Sequence, residues 1–295
     1  MPLKNALMLL LLGTIWGASY MFIKVGVAEI TPLTFVVLRT GIGGLILLAA
    51  LKLRGRRAPN RKEWAALAVM GLLNALIPYG LIMWGELYIS SSLAATLNAS
   101  MPLFTVVIAH FWGINERLDG YKAAGVLLGF AGVVLLLLPD LRGGMSYNLA
   151  GGLAVVLSSV SYALAAVYAR RTFRDLDPMM LSSGQLLTGF AMTLPLAFLF
   201  EHPLSLSPSL QAWGALLALS VFGTAIAYVI YYWILDHGSS VQASLVTYII
   251  PIGAIFWGWL LLNEGIHWTF LVGLAAILLG IMITSRFRVV RSFSR

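Results

Sequence analysis

The chain has 295 residues, 60% of them apolar and only 10% charged, with a mean hydropathy of +0.92; soluble domains run at about 45–50% and about 25%. The apolar residues recur from the first decade to the last, which excludes both an ordinary soluble enzyme and a soluble body on a single anchor. The net charge of +8 gathers in short loops rather than on one face, which argues against a nucleic-acid partner, and zero Cys excludes a disulfide framework or a thiolate metal site.

At about 20 residues per membrane-spanning helix, apolar stretches between charged or Pro/Gly-rich breaks predict ten helices. The first, residues 5–25, begins like a signal peptide with Lys4 before Ala6 to Leu12. It runs on through Trp16 and Tyr20 to Ile23 without a small-residue cleavage site, so it reads as a retained helix. The second, 31–51, holds Arg39, the one clear cation at membrane depth. Arg39 can grip a substrate carboxylate through its two-nitrogen fork, or bond carbonyls freed at a broken neighbouring helix. The third, 64–85, carries Asn74, Pro78 and Tyr79; the fourth, 91–112, carries Asn98, Pro102 and His110. A Pro at mid-span frees the carbonyl one turn earlier. The fifth, 120–138, presents Gly125, Gly129 and Gly132, and the sixth, 148–169, Ser158 and Tyr162. After the seventh, 178–200, the eighth, 210–235, holds Tyr228, Tyr231 and Tyr232. The ninth, 239–262, holds Tyr248 and Pro251, and the tenth, 267–285, Gly273, Ala276 and Gly280. Small residues on the fifth and tenth helices predict close packing between them rather than a dimer face, so a monomer is expected, with a dimer as the alternative.

Of the nineteen Lys and Arg, sixteen fall on the side of the two termini, among them Lys4, the cluster from Lys52 to Lys62, Arg170, Arg171 and the tail at 286–295. Positive charge marks the cytoplasmic side, so both termini are expected there. The two halves also match each other. Lys24, Pro32 and Gly43 precede Arg170, Pro178 and Gly189 by 146 positions, and Trp64, Tyr79, Trp84, Ser90 and Pro102 precede Trp213, Tyr228, Trp233, Ser239 and Pro251 by 149. Asn115-Glu116 corresponds to Asn263-Glu264. The chain therefore divides into repeats at 1–139 and 147–285 followed by the basic tail. With five helices each, the second repeat lies upside down relative to the first, the architecture of alternating-access transporters with a site near the midplane.

Gly13-Thr-Ile-Trp16-Gly17-Ala-Ser-Tyr20 with Lys24, Arg39 in the second span, Ser90 to Thr96 leading to Pro102, and Glu116-Arg-Leu resemble the drug/metabolite transporter superfamily. The similarity is to its EamA-type ten-helix members; Gly238 to Leu245, Pro251 and Asn263-Glu264 repeat the marks. The resemblance covers essentially the whole chain and is closest in kind to bacterial amino-acid and aromatic amino-acid exporters. It implies an all-α, ten-helix basket around a central cavity, a small-molecule substrate and a bacterial inner-membrane location.

Ionisable residues at membrane depth are costly and therefore functional. Here Glu29, Glu86, Asp140, Glu201 and Glu264 fall at outer helix boundaries, the other six acids at inner ones, and none at mid-span. A proton-driven antiporter trades its substrate against a proton on a carboxylate at depth, so a uniporter or exchanger is expected. The cavity candidates are Trp16, Tyr20, Asn74, Tyr79, Asn98, Tyr162, Tyr228 and Tyr248, with Arg39 for a carboxylate or for structure and Pro102 and Pro251 as gating kinks. Such a surface suits an uncharged or zwitterionic amphipathic metabolite. The expected function is export of aromatic and other neutral amino acids. The alternatives are a proton-coupled drug or metabolite exporter and a sugar-phosphate or nucleotide-sugar antiporter, the latter requiring more than one intramembrane cation. No phosphate-binding loop, metal cluster or nucleophile–base pair points to a cofactor, a metal or an enzyme; a non-transporting scaffold would leave the duplicated prolines without a purpose.

Overall fold

The computed structural model describes residues 2–57, 59–112, 119–142, 147–173, 176–238 and 240–285, and all regular structure among them is helical. Ten helices are long and apolar enough to cross a bilayer: α1 Leu3–Val27, α2 Pro32–Leu53, α3 Arg61–Gly85, α4 Ser91–Phe111, α5 Gly120–Pro139, α6 Asn148–Thr172, α7 Pro178–Phe200, α8 Leu210–His237, α9 Gln242–Leu262 and α10 Trp268–Ser285. They coincide with the ten expected spans, and the protein is an all-α multi-pass membrane protein. Asn115-Glu116, Arg174, Ser239 and the basic tail lie outside the described residues.

Boundaries follow local capping. α3 starts at Arg61, three residues before the expected 64, because Asn60 accepts hydrogen bonds from the backbone N–H of Lys62 (3.0 Å) and Glu63 (2.9 Å). The Glu63 carboxylate accepts the Asn60 N–H in return (2.7 Å), and a capping box results. Two spans carry a π-helical turn, Leu72–Leu76 in α3 and Val221–Ile226 in α8. In α3 the turn lies just ahead of Pro78, which has no N–H to give the carbonyl four residues back. In α8 no Pro follows, and Thr224 Oγ1 donates to the Leu219 carbonyl instead (3.0 Å). α4 is interrupted: one helix runs Ser91–Asn98, another Met101–Phe111, and Pro102 sits in the first turn of the second. α9 is interrupted at Leu245, and Pro251 lies inside the continuous segment Val246–Leu262. The two prolines are thus not the matched kinks their spacing suggests; one follows a break and the other is absorbed in a helix.

Lipid is as apolar as Leu, so helix association depends on close approach and not on expulsion of water. A Cβ added to Gly125 or Gly132 of α5 would stand 2.7 Å from the carbonyl oxygen of Gly280 or Gly273 of α10, and one on Gly17 of α1 would stand 2.7 Å from the Ala254 backbone of α9. The glycine faces of α5 and α10 are therefore spent inside the chain. α1 packs on α8 and α9, α2 on α7, α3 on α6 and α7, α4 on α6 and α5 on α10, and each of these contacts joins the first five helices to the last five.

The two ends of the bundle differ. The end where α1 begins and α10 finishes carries Lys4, Arg54, Arg56 and Arg170; it is the basic end. At the opposite end, three glutamates cap helix starts belonging to the other half. Glu29 accepts the Ser209 N–H (2.6 Å) and hydroxyl (2.7 Å) at the start of α8. Glu201 accepts the N–H of Leu33 (2.9 Å) and Thr34 (2.8 Å) at the start of α2. Glu264 accepts the Ser91 N–H and hydroxyl (both 2.8 Å) and the Ser92 N–H (3.0 Å) at the start of α4, with the Ser92 hydroxyl as a further donor. A carboxylate on a helix N-terminus satisfies orphan N–H groups and complements the helix dipole, and the Ser209 bonds hold the exposed Glu29 carboxyl below its ordinary range.

Replacing Gly17 with Val drives two methyls into the α9 backbone, at a cost of about 1–3 kcal/mol. We expect a lower melting temperature in detergent and reduced monodisperse yield, whereas Gly214→Ala, with nothing within 4 Å of the added Cβ, leaves both unchanged.

Candidate functional site

The polar residues at depth meet where the helices are irregular. Arg39 of α2 is 7% exposed and is the one cation among the described buried residues. Its Nε donates to Thr224 Oγ1 in the α8 π-turn (3.1 Å), and its guanidinium carbon lies 3.9 Å over the Tyr79 ring of α3. Neither contact uses the terminal two-nitrogen fork. Of the two roles open to Arg39, the structural one is visible in these contacts, to a hydroxyl and a ring rather than to freed carbonyls, and the fork retains its capacity for a carboxylate. The Tyr79 ring in turn meets Tyr162 of α6 edge-on at 6.4 Å.

Asn98 ends the first segment of α4. Tyr20 of α1 donates its hydroxyl to Asn98 Oδ1 (3.1 Å), and Asn98 Nδ2 donates to the hydroxyls of Ser158 (3.0 Å) and Ser159 (3.3 Å) on α6. Pro102 cannot bond the Asn98 carbonyl, and Ser159 Oγ reaches it at 3.4 Å. The proline, the break and the amide thus form one unit joining α1, α4 and α6, which explains how a buried amide is satisfied here.

On the other side, Asn74 in the α3 π-turn donates to Gln185 Oε1 of α7 (3.0 Å), and Gln185 Nε2 donates to the Tyr228 hydroxyl of α8 (3.1 Å). Tyr228 stacks on Tyr232 at 6.0 Å and meets Trp16 edge-on at 6.4 Å; Trp16 also lies 5.7 Å from Tyr231. The Tyr232 hydroxyl bonds that of Ser182. Tyr232 then lines a cleft of about 490 Å³ at the basic end, whose rim holds Arg54, Arg56, Asp177 and Asp236, with Arg56 and Asp177 paired at 3.4 Å. The tyrosines connect this cleft to the centre.

Seven of the eight cavity candidates therefore fall into three contact groups: Tyr79 and Tyr162 with Arg39, Tyr20 with Asn98, and Asn74, Tyr228 and Trp16 joined through Gln185 and ring contact. Tyr248 packs against the same hydrophobic core but shares none of these polar contacts; its hydroxyl lies 3.4 Å from that of Ser285 on α10. Sequence reasoning missed Gln185, Thr224 and Ser182. Gln185 was within reach, since it follows Arg39 by the same 146 positions that separate Pro32 from Pro178. It also missed the situation of Glu86: the residue does follow the last turn of α3, as expected, but it is 0% exposed. Among the described residues no group of three His, Asp or Glu side chains could hold a metal.

Comparison with known proteins adds a family. The EamA-like transporter family matches residues 3–138 and again 149–286. The chain belongs to this family. Its relatives include the uncharacterized transporter YoaV of Bacillus subtilis, 29% identical over 92% of this chain and 93% of its own. The uncharacterized inner membrane transporter YedA of Escherichia coli K12 is 29% identical over 88% and 82%, and an uncharacterized transporter of Archaeoglobus fulgidus is 27% identical over 97% and 100%. A protein crystal structure 21% identical superposes with a TM-score of 0.68 over 96% of this chain and 98% of the other, a likeness of fold.

Thr224→Val keeps the side-chain volume but removes the acceptor for Arg39 Nε, leaving a buried guanidinium N–H unpaired at about 1–2 kcal/mol. The expected result is a lower melting temperature with helicity retained by circular dichroism; Thr224→Ser should restore it.

Proposed function

We propose that this EamA-like transporter exports neutral amino acids, aromatic ones among them, by alternating access. The observation that carries the reading is the cleft at the basic end, where Arg54 and Arg56 lie with Asp177 and Asp236 and behind which Tyr232, Tyr228 and Trp16 form a run of aromatic contacts. Charges of both signs at the mouth suit a zwitterion, aromatic walls suit an apolar side chain, and the unused fork of Arg39 suits a carboxylate. A sugar phosphate carries two negative charges and calls for several cations at depth, where Arg39 is the one among the described buried residues.

In this reading the two five-helix repeats, 1–139 and 147–285, are inverted copies that rock about the central clusters. On this reading the cleft marks the open end, and the opposite end is closed where Glu29, Glu201 and Glu264 each tie one half to the other. With positive charge inside, both termini face the cytoplasm of a bacterium and the open cleft admits substrate from there. The expectation of uncoupled uniport or exchange rested on the absence of carboxylates at mid-span; Glu86 lies at the end of α3 as expected, yet is 0% exposed.

Purified protein in proteoliposomes should take up labelled tryptophan, phenylalanine and threonine saturably; folded protein that moves none of the three overturns the amino-acid reading. Replacing Pro102 and Pro251 together with Ala should slow uptake more than it lowers folded yield. Equal losses of both would make the prolines packing residues and nothing more.

A further inference from the structure

Four glutamates cluster at the end opposite the termini, and three of them are hydrogen-bonded to helix starts. Glu86 is the exception. It is 0% exposed, and neither carboxylate oxygen has a hydrogen-bond partner. Its neighbour Lys24 does not form an ion pair with it: the ammonium is spent on the main-chain carbonyls of Glu86 and Ile89 (2.8 Å to the latter), closing the end of α3. The ion pairs among the described residues are Arg56–Asp177 and Arg57–Glu63, both at the basic end. An ionised carboxylate with no hydrogen bond and no cation paired to it is costly to bury, and the neutral acid is favoured instead.

We propose that Glu86 is a proton-binding site occupied while this end of the transporter is sealed and emptied when it opens. This rests on the alternating-access reading, not on the identity of the substrate. In the sealed state the group is a carboxylic acid. When the caps of Glu29, Glu201 and Glu264 part, water reaches it, the O–H bond breaks, the proton passes to water on that side, and a solvated carboxylate remains. Closure reverses the step, so each opening and closing of this end exchanges one proton.

The groups that act on Glu86 electrostatically come from three directions. α1 supplies Lys24 and Tyr20, α2 supplies Arg39, and the loop after α9 supplies Glu264. On the α6 side, Gly85 lies against Gly151 and Val155. Burial pushes the Glu86 carboxyl well above the ordinary carboxylate range; Lys24 opposes this most, Glu264 reinforces it and Arg39 opposes it. A carboxyl raised in the sealed state favours that state at low pH and ceases to favour it as pH rises through the raised value. The capping glutamates work the other way, since protonating them loosens the closure. The sign of the pH response therefore separates the two.

Because the chain has no Cys, one introduced thiol is a clean reporter. Ile30→Cys places it at a sealed position, 1% exposed, and Leu204→Cys at an open one at the same end, 87% exposed. In nanodiscs, the rate of labelling by a membrane-impermeant maleimide at Ile30→Cys, divided by that at Leu204→Cys, cancels the titration of the thiol itself. The ratio should rise between about pH 5 and pH 9, by no more than tenfold per pH unit for one proton. Glu86→Gln should hold it low and flat, and Glu86→Asp should keep the slope. A flat or falling ratio in the protein with Glu86 intact overturns the proposal, as does an unchanged slope in Glu86→Gln. Where neither variant folds, infrared spectroscopy of the parent decides: a protonated-carboxyl band at neutral pH that fades along with the rise in labelling supports the assignment, and its absence refutes it. Uptake of amino acids is not part of this readout, so a wrong substrate class and a wrong proton site fail separately.

Discussion

Within a bilayer every backbone N–H and C=O has to find its partner inside the protein, and most features of this transporter follow from how that requirement is met where its helices are imperfect. Straight spans satisfy themselves. Interrupted ones do not, and their freed groups recruit side chains from neighbouring helices: Ser159 for the Asn98 carbonyl that Pro102 leaves open, and Lys24 for the carbonyls at the end of α3. Because those side chains come from other helices, each local fault becomes a tertiary bond.

The same logic distributes the charges. At the end away from the termini, Glu29, Glu201 and Glu264 reach across to helix starts of the other half, so the closure of that end is built from carboxylates on helix dipoles rather than from ion pairs. Such bonds can exchange for water, which in the proposed cycle lets the two halves part at this end. At the basic end the charges remain around an open cleft, and the tyrosines behind it connect aqueous surface to buried centre. Between the two ends, Arg39 is held by a hydroxyl in a π-turn and by the face of Tyr79. These contacts orient a cation in a medium where it would otherwise be driven out.

Much of this was legible in the residues. Ten apolar stretches, the basic side, the paired motifs and the polar inventory at depth are one-dimensional signals, and the helices coincide with the expected spans because length and hydropathy are what lipid selects. Boundaries moved by no more than three residues, and at the start of α3 the shift has a cause in the capping box of Asn60 and Glu63. What was not legible depended on which side chains meet. The π-turn at Val221–Ile226 follows no Pro, and its effect is seen only in Thr224 reaching Arg39. Tyr248 packs on the same core as Tyr228, but its hydroxyl meets Ser285 where that of Tyr228 meets Gln185. Pro102 and Pro251 hold matched sequence positions and have unlike surroundings.

The sequence by itself determined the solvent of this protein, its number of spans and the residue types available at depth, because each depends on apolar length and charge counted along the chain. The tertiary structure alone decided which of those residues share a site and what state they are in. Glu86 shows the difference most plainly. By position it is one of several glutamates at a helix end; what distinguishes it is that its neighbours' hydrogen bonds are already committed elsewhere, and commitment of a donor is a property of the folded arrangement and not of the chain.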